Sequence, residues 1–486
     1  MAHDGTRTLT ILQINDTHGY LEPHQEMFRK GDRLEHRVVG GYARIKGYFE
    51  QVRAERGAGS VIALDNGDTL HGTYAAVHSK GEAFVEPLNA LGLDAWTVHW
   101  DFVYGPEQLQ RITGRLDYPL LACNCHRKSS DELPFAPWLL LERGGVKVGV
   151  IGIAAYIIDK TFPEHASEGL YFTLGRHELP RHIRHLREHE GAELIVVLSH
   201  LGFPQECKLA SEVDGIDILL SGHTHNRMHQ PVQVNGATII QSGCHASFIG
   251  RLDVELAPGE KPRITHQLVT LEGDVPQDAQ MQQMVDAIYA PHRAMLDEVV
   301  GEAAGDLNRY TTLESTMDNL LLDAIASAAG TELAFSNGWR YGAPVPAGAE
   351  LTMNDLWNII PTNPPVETNE LTGAELRDMM EDNLEKTFSA DAYQQMGGFV
   401  KRCRGVNIFF KIENAAGLRI QEFFVQGEPL RPDKTYLAAF VTAQGVPKKY
   451  GRNRRRVGID AVEALRRHVQ AHRPVRAPLR GTVVAV

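Results

Sequence analysis

"TLTILQINDTHG", residues 8–19, joins an apolar run to a short polar turn. Thr8 to Ile14 reads as a buried strand. Asp16 and His18, two residue types that bind divalent cations, follow at once. The design recurs along the first half. "SVIALD" (60–65) leads into "DNGDTLHG" with Asp68, and "TVHWDF" (97–102) carries His99. "ELIVVLS" (193–199) leads into "SHLG" with His200, and "IDILLSG" (216–222) into "SGHTHN" with His223 and His225. Strand ends converge on one edge of a sheet, so residues distant in sequence can meet there. Carboxylate and imidazole together suit manganese, zinc, iron or cobalt. Two such ions a few ångströms apart activate water and stabilise an in-line displacement. A lone Asp-x-His after a strand is ordinary turn chemistry, and a lone Gly-His-x-His is commonly a loop. The whole series, each member leaving an apolar run, is much harder to explain that way.

Between these segments, "VKVGVIGI" (146–153), "ATIIQSG" (237–243) and "GRLDVELAP" (250–258) read as further strands. Residues 40–56 and 179–192 have helical spacing. The alternation predicts helices packed on β-sheets, an α/β class. The pattern changes near residue 270. "DAQMQQMVDAIYAPHRAMLDEVVGEA" (278–303) reads as one long helix joining two domains. Beyond it, 314–330 reads as a helix, and 407–413, 420–426 and 435–441 as strands. The basic run "KKYGRNRRR" (448–456) reads as a solvated surface loop.

At 486 residues the chain is too long for one core, so two domains are expected. A net charge of −12 argues against binding a nucleic-acid polymer. It leaves room for a small anionic substrate, because bound cations reverse the sign locally. Five cysteines without ladder or ribbon spacing suit a reducing compartment. No stretch has the length of a membrane span. The sequence as written reads as cytoplasmic, or periplasmic had an export signal been removed.

"NDTHG", "GDTLHG", "SHLG" and "GHTH" in combination resemble the calcineurin-like metallophosphoesterases, in particular their 5′-nucleotidase branch. "ESTMDNLLLDA", "SNGWRYG" and "MGGFVKRCRG" in the second half are similar to that branch's substrate-binding segments. The resemblance implies a four-layer metallophosphoesterase β-sandwich flanked by helices over 1–272, a linker helix over 273–305 and a mixed α/β substrate-binding domain over 306–486. It implies two divalent ions, manganese first. Asp16, His18, Asp68 and His225 would hold one. Asp68, His200, His223 and the third-motif residue would hold the other, with Asp68 shared. A metal-bound hydroxide would attack phosphorus in a phosphate monoester such as a nucleotide.

The third motif departs from that pattern. The branch reads Gly-Asn-His-Glu-Phe-Asp-Tyr-Gly where this chain has "VHWDFVYG" (98–105). Anchored on Phe102, Tyr104 and Gly105, the ligand asparagine falls on His99, the transition-state histidine on Trp100 and its aspartate partner on Val103. A shift by one residue places His99 on the transition-state position instead. Trp100 offers an indole N–H and no positive charge. His245 in "SGCHAS" and Arg340 in "NGWRYG" are candidates to replace the missing group. The His-Trp pair and "AYQQMGG" (392–398) are similar to the thiosulfohydrolases of bacterial sulfur oxidation. That resemblance implies a second reading, in which a sulfonate is cleaved from sulfur on a carrier protein. A third reading is a metal-binding protein with little catalysis.

The base-binding segment also differs, since "IIPTNPP" (359–365) lacks an aromatic ring. Trp339 and Phe399 are the neighbouring aromatics that could stack on a base. Core packing is their ordinary role. Arg340, Arg402 and Arg404 are candidate anion contacts, with Asn337 beside them.

Overall fold

The computed structural model describes residues 5–486. The chain forms two compact units. One holds the chain up to Glu26 with Arg37–His71 and Ala75–Ala290; the other holds Met27–His36, Gly72–Tyr74 and Pro291–Val486.

The first unit is built on two sheets. One has the strand order Arg263–Thr270, Phe248–Leu256, Arg7–Ile14, Val61–Asp65, Ala95–Trp96. The other runs Val232–Val234, Ala237–Ile240, Ile218–Leu220, Leu194–Ser199, Val146–Ile153, Trp138–Arg143. Leu9, Ile11, Ile62 and Leu64 of the first sheet share a buried cluster with Val148, Val196, Ile218 and Ile240 of the second. The sheets therefore pack face to face. The helix Tyr42–Arg56 lies on the first sheet and Glu178–Glu188 on the second, giving the four layers. Both central regions are parallel. That is why these strands are near-continuous Val, Ile and Leu: each is covered on both faces.

The second unit has a five-stranded sheet in the order Phe399–Arg404, Leu333–Gly338, Thr435–Phe440, Pro365–Thr372, Arg452–Asp460. A four-stranded sheet orders Glu428–Pro429, Ile420–Val425, Val406–Phe410, Val483–Ala485. Phe335, Met380, Ile408, Phe410 and Phe440 join them in one core. The helix Thr316–Ala329 starts where the Ser315 side chain accepts from the Asp318 N–H, and stops at Gly330 with φ 64°.

Two expectations are corrected. Residues 278–303 are not one helix but Ala279–Tyr289, Arg293–Leu296 and the strand Val299–Glu302. Pro291 has no N–H to continue the ladder and its ring crowds the carbonyl four residues back. The two units divide at that proline. The basic run is not all loop. From Arg452 it forms an exposed edge strand, where charged side chains discourage pairing with other chains. Among the described residues, no helix is long and apolar enough to cross a membrane.

Candidate metal centre

The parallel strands end at Ile14, Asp65, Trp96, Ser199 and Leu220, and the candidate ligands stand in the turns just beyond. Those turns are strained. Asp16, His18, Asp68, His223 and His225 all have φ between 48° and 72°. Each such non-glycine residue costs roughly 1 kcal/mol or more. Hydrogen bonds hold the turns in place. Asp16 N–H donates to Gly67 O at 2.9 Å, His18 N–H to Asp68 O at 2.7 Å and His223 N–H to Asp16 Oδ2 at 2.9 Å. Gly67 is required, since a Cβ there would lie 2.5 Å from the Thr97 carbonyl oxygen.

The turns gather the candidates into two sets. Ligand atoms of Asp68, His99, His200 and His223 lie within 4.8 Å of one another, and so do those of Asp16, His18 and His225. Asp68 reaches both sets. Its Oδ1 is 3.1 Å from His99 Nδ1, while its Oδ2 is 3.3 Å from His200 Nε2 and 3.7 Å from His18 Nε2. In the second set His225 Nε2 lies 3.1 Å from His18 Nε2 and 3.2 Å from Asp16 Oδ1. Bonds of about 2.1 Å at ~90–109° separate neighbouring ligand atoms by about 3.0–3.4 Å. Four of these five spacings match that range, and His18–Asp68, at 3.7 Å, is slightly wider.

Burial and mutual charge set the electrostatics of the two sets. Burial alone would lower His200, but the Asp68 and Asp16 carboxylates outweigh it and push it up to about 10. Burial alone would raise Asp68, but the charges of His99 and His200 outweigh it and hold it well below the usual carboxylate range. His18, by contrast, is pushed well down by burial. Outer contacts choose the face each imidazole shows. Asn66 O accepts from His200 Nδ1–H at 2.6 Å, turning Nε2 toward the carboxylates. His71 O does the same for His18 Nδ1 at 3.1 Å.

His99 presents Nδ1 to Asp68. Nδ1 of histidine hangs the same number of bonds from Cα as the amide oxygen of asparagine. The Trp100 backbone N–H donates to Asp68 Oδ1 at 2.6 Å. Its indole is stacked on His71, with centroids 4.7 Å apart, and flanked by Phe162 at 4.4 Å. Val103 supplies a carbonyl to His165 Nε2. No imidazole–carboxylate pair therefore arises from residues 100 and 103.

Sequence reasoning passed over Asp101 and Asn66. Asp101 accepts from the N–H groups of Asp68, Thr69, Leu70 and His99, at 2.8–3.2 Å, and so ties the second motif to the third. Asn66 donates to Ser199 O and Leu220 O, both at 2.8 Å, joining three strand ends. Both stand inside quoted motifs, but a hydrogen-bonding role gives no spacing signal. Glu26, from no motif, is fully buried, 2.8 Å from Arg227 Nη2 and 3.6 Å from His245 Nδ1. His245 is fully buried too, and its ring centroid lies 6.1 Å from that of His18 and 6.0 Å from that of His225.

In the second unit, several candidate substrate contacts are committed elsewhere. Arg402 is 2% exposed, pairs with Asp318 Oδ2 at 2.8 Å and donates to Thr311 O and Thr312 O. Asp318 Oδ1 holds a second buried guanidinium, Arg309, at 2.9 Å. Arg404 pairs with Asp323. Trp339 is buried, stacked on Tyr341 and close to Arg309, so it is core rather than an open platform. Arg402, Arg404 and Trp339 thus have partners within the second unit. Phe399 and Arg340 remain partly exposed, with the Arg340 guanidinium 5.0 Å from the Phe399 ring. Asn337 donates to Gln444 Oε1 at 3.1 Å.

Residues 299–442 match the family model described as 5′-nucleotidase, C-terminal domain. Protein UshA of Yersinia enterocolitica is 23% identical, over 98% of this chain and 93% of its own length. The solved sulfate thiohydrolase SoxB of Thermus thermophilus is similar with a TM-score of 0.91 at 24% identity, over 98% of this chain and 96% of that one. The 5′-nucleotidase precursor of Thermus thermophilus gives 0.86 at 24% identity, over 99% of both chains. The two structures share the fold from end to end. Residues 299–442 thus carry a 5′-nucleotidase C-terminal domain, and nearly the whole chain is similar to UshA and shares the fold of both solved structures.

Proposed function

We propose that this chain is a dinuclear metal-dependent hydrolase of phosphate monoesters, with nucleotides as its first substrate class. One observation carries the reading: two sets of buried carboxylate and imidazole donors meet on the single carboxylate of Asp68. Asp16, His18, Asp68 and His225 would hold one ion, and Asp68, His99, His200 and His223 the other. Neither set contains a thiolate, which suits manganese, with zinc, iron or cobalt as alternatives. When bound, the ions supply an activated water and neutralise phosphoryl oxygens.

The protein groups do the rest. Asp68 spans the two sets, Asp101 fixes the loop that carries it, and Asn66 fixes the face of His200. His245 is the polar group placed to act beside the Asp16–His18–His225 set. Arg340, with Asn337 and Phe399, is the anion-binding candidate of the second unit, a substrate-binding domain in this reading.

The clamped Trp100 favours a second reading. Its indole N–H is too weak an acid to protonate a departing alkoxide, whereas a thiolate leaves as a much weaker base. Sulfonate cleavage from sulfur would need no donor there. Assay of nucleotides, sugar phosphates and S-thiosulfonates with added manganese separates the two. Phosphate release from nucleotides is expected. Sulfate release alone would favour the second reading, and no turnover with metal bound would contradict both.

A further inference from the structure

The chain lacks an imidazole–carboxylate pair in its third motif, yet one exists elsewhere in the same unit. Glu26 is sealed from solvent between a cation and an imidazole. Its Oε1 accepts from Arg227 Nη2 at 2.8 Å and its Oε2 faces His245 Nδ1 at 3.6 Å. His24, the next imidazole, also lies within 4.8 Å of the Glu26 carboxylate, but its hydrogen-bond partners are others. Its nitrogens lie 3.2 Å from Ser247 Oγ and 3.3 Å from Glu22 O.

His245 carries the backbone signature of the candidate ligands. Its φ is 59° and that of Ala246 is 55°, two left-handed non-glycine residues in succession. Strain of this kind persists only where the surroundings impose it, and it gathers at functional sites. The surroundings here are the metal-ligand turn, because His245 N–H donates to Asp16 O at 2.8 Å. The ring packs on Tyr20 at 4.7 Å and borders His18 and His225.

We infer that Glu26 is a positioning residue: anchored by Arg227, it holds His245 as the Nδ1–H tautomer, which makes Nε2 the accepting nitrogen of a ring that borders the Asp16–His18–His225 set. A nitrogen that accepts there takes a hydrogen bond instead of giving one, and so sets which neighbouring groups it can orient. This use in turnover rests on the hydrolase reading; the tautomer does not.

The test begins with histidine-selective 15N labelling of the zinc-loaded protein and long-range 1H–15N correlation spectra. Loss of signals in His245→Gln identifies the residue. The wild type is expected to show Nδ1–H. In Glu26→Gln the tautomer is expected to flip. Arginine only donates, so the amide oxygen of Gln must face Arg227 and its NH2 must face His245. Metal content and KM are expected to hold, while kcat falls roughly tenfold to a hundredfold. The double variant Glu26→Gln, His245→Gln is expected to be no slower than His245→Gln alone. An Nε2–H tautomer in the wild type overturns the inference, and needs no folded variant. So does an unchanged tautomer in Glu26→Gln, or losses that multiply in the double variant. Failure to turn over any substrate would sink the hydrolase reading while leaving the tautomer to be decided.

Discussion

His99 Nδ1 lies 3.1 Å from Asp68 Oδ1, the atom-for-atom place where an asparagine amide oxygen would stand. His99→Asn is therefore expected to keep both ions and activity within roughly tenfold. His99→Ala is expected to lose one ion and nearly all activity. Elemental analysis beside steady-state kinetics reads both. An asparagine variant that keeps two ions but loses two to three orders of magnitude, roughly the worth of a transition-state donor, would make His99 that donor instead.

Trp100 fills the slot between His71 and Phe162. The double change Trp100→His, Val103→Asp should restore an imidazole with a carboxylate partner at the branch's usual place. Phosphate release from nucleotides is expected to rise roughly tenfold to a hundredfold, within the range of general acid catalysis. Smaller side chains also leave a gap, so a lower melting temperature is expected. No gain with metals bound and the fold intact would mean that the site is not a modified nucleotidase.

The first unit was legible because its chemistry follows its strands. Each candidate ligand stands directly after an apolar run, so order and spacing carried the information. The helix over 278–303 misled because its apolar period runs through Pro291, where backbone chemistry overrides pattern. Arg402 and Arg404 look like anion contacts in sequence, but Asp318 and Asp323, some eighty positions away, claim them. Glu26 was invisible for the same reason. Its partners Arg227 and His245 are brought to it only by the fold.

The Arg309–Asp318–Arg402 triad supports a stability prediction. Asp318 sits between two buried guanidiniums. Asp318→Asn would leave both without their counter-charge, a loss of about 3–5 kcal/mol. Urea unfolding of the full chain checks it, and a change under ~1 kcal/mol, typical of an exposed pair, would contradict it.

Lys401 gives the pH dependence a sign. Burial lowers its ammonium to about 8 from the ordinary 10.5. Between those values the unfolded chain holds the proton and the native chain does not, so native stability rises with pH. The gain is complete above the unfolded value and lost as pH falls through the folded one. It amounts to roughly 3 kcal/mol at most. The stability difference between the wild type and Lys401→Met should shift by that much across this window. A flat difference would show that Lys401 titrates normally.

The most direct test is a titration of metal-stripped protein with manganese, following phosphate release from a nucleoside monophosphate. Two sets of donors sharing Asp68 predict activity that climbs to a plateau at two equivalents per chain. A plateau at one equivalent, or phosphate release that ignores the metal, would contradict the dinuclear centre.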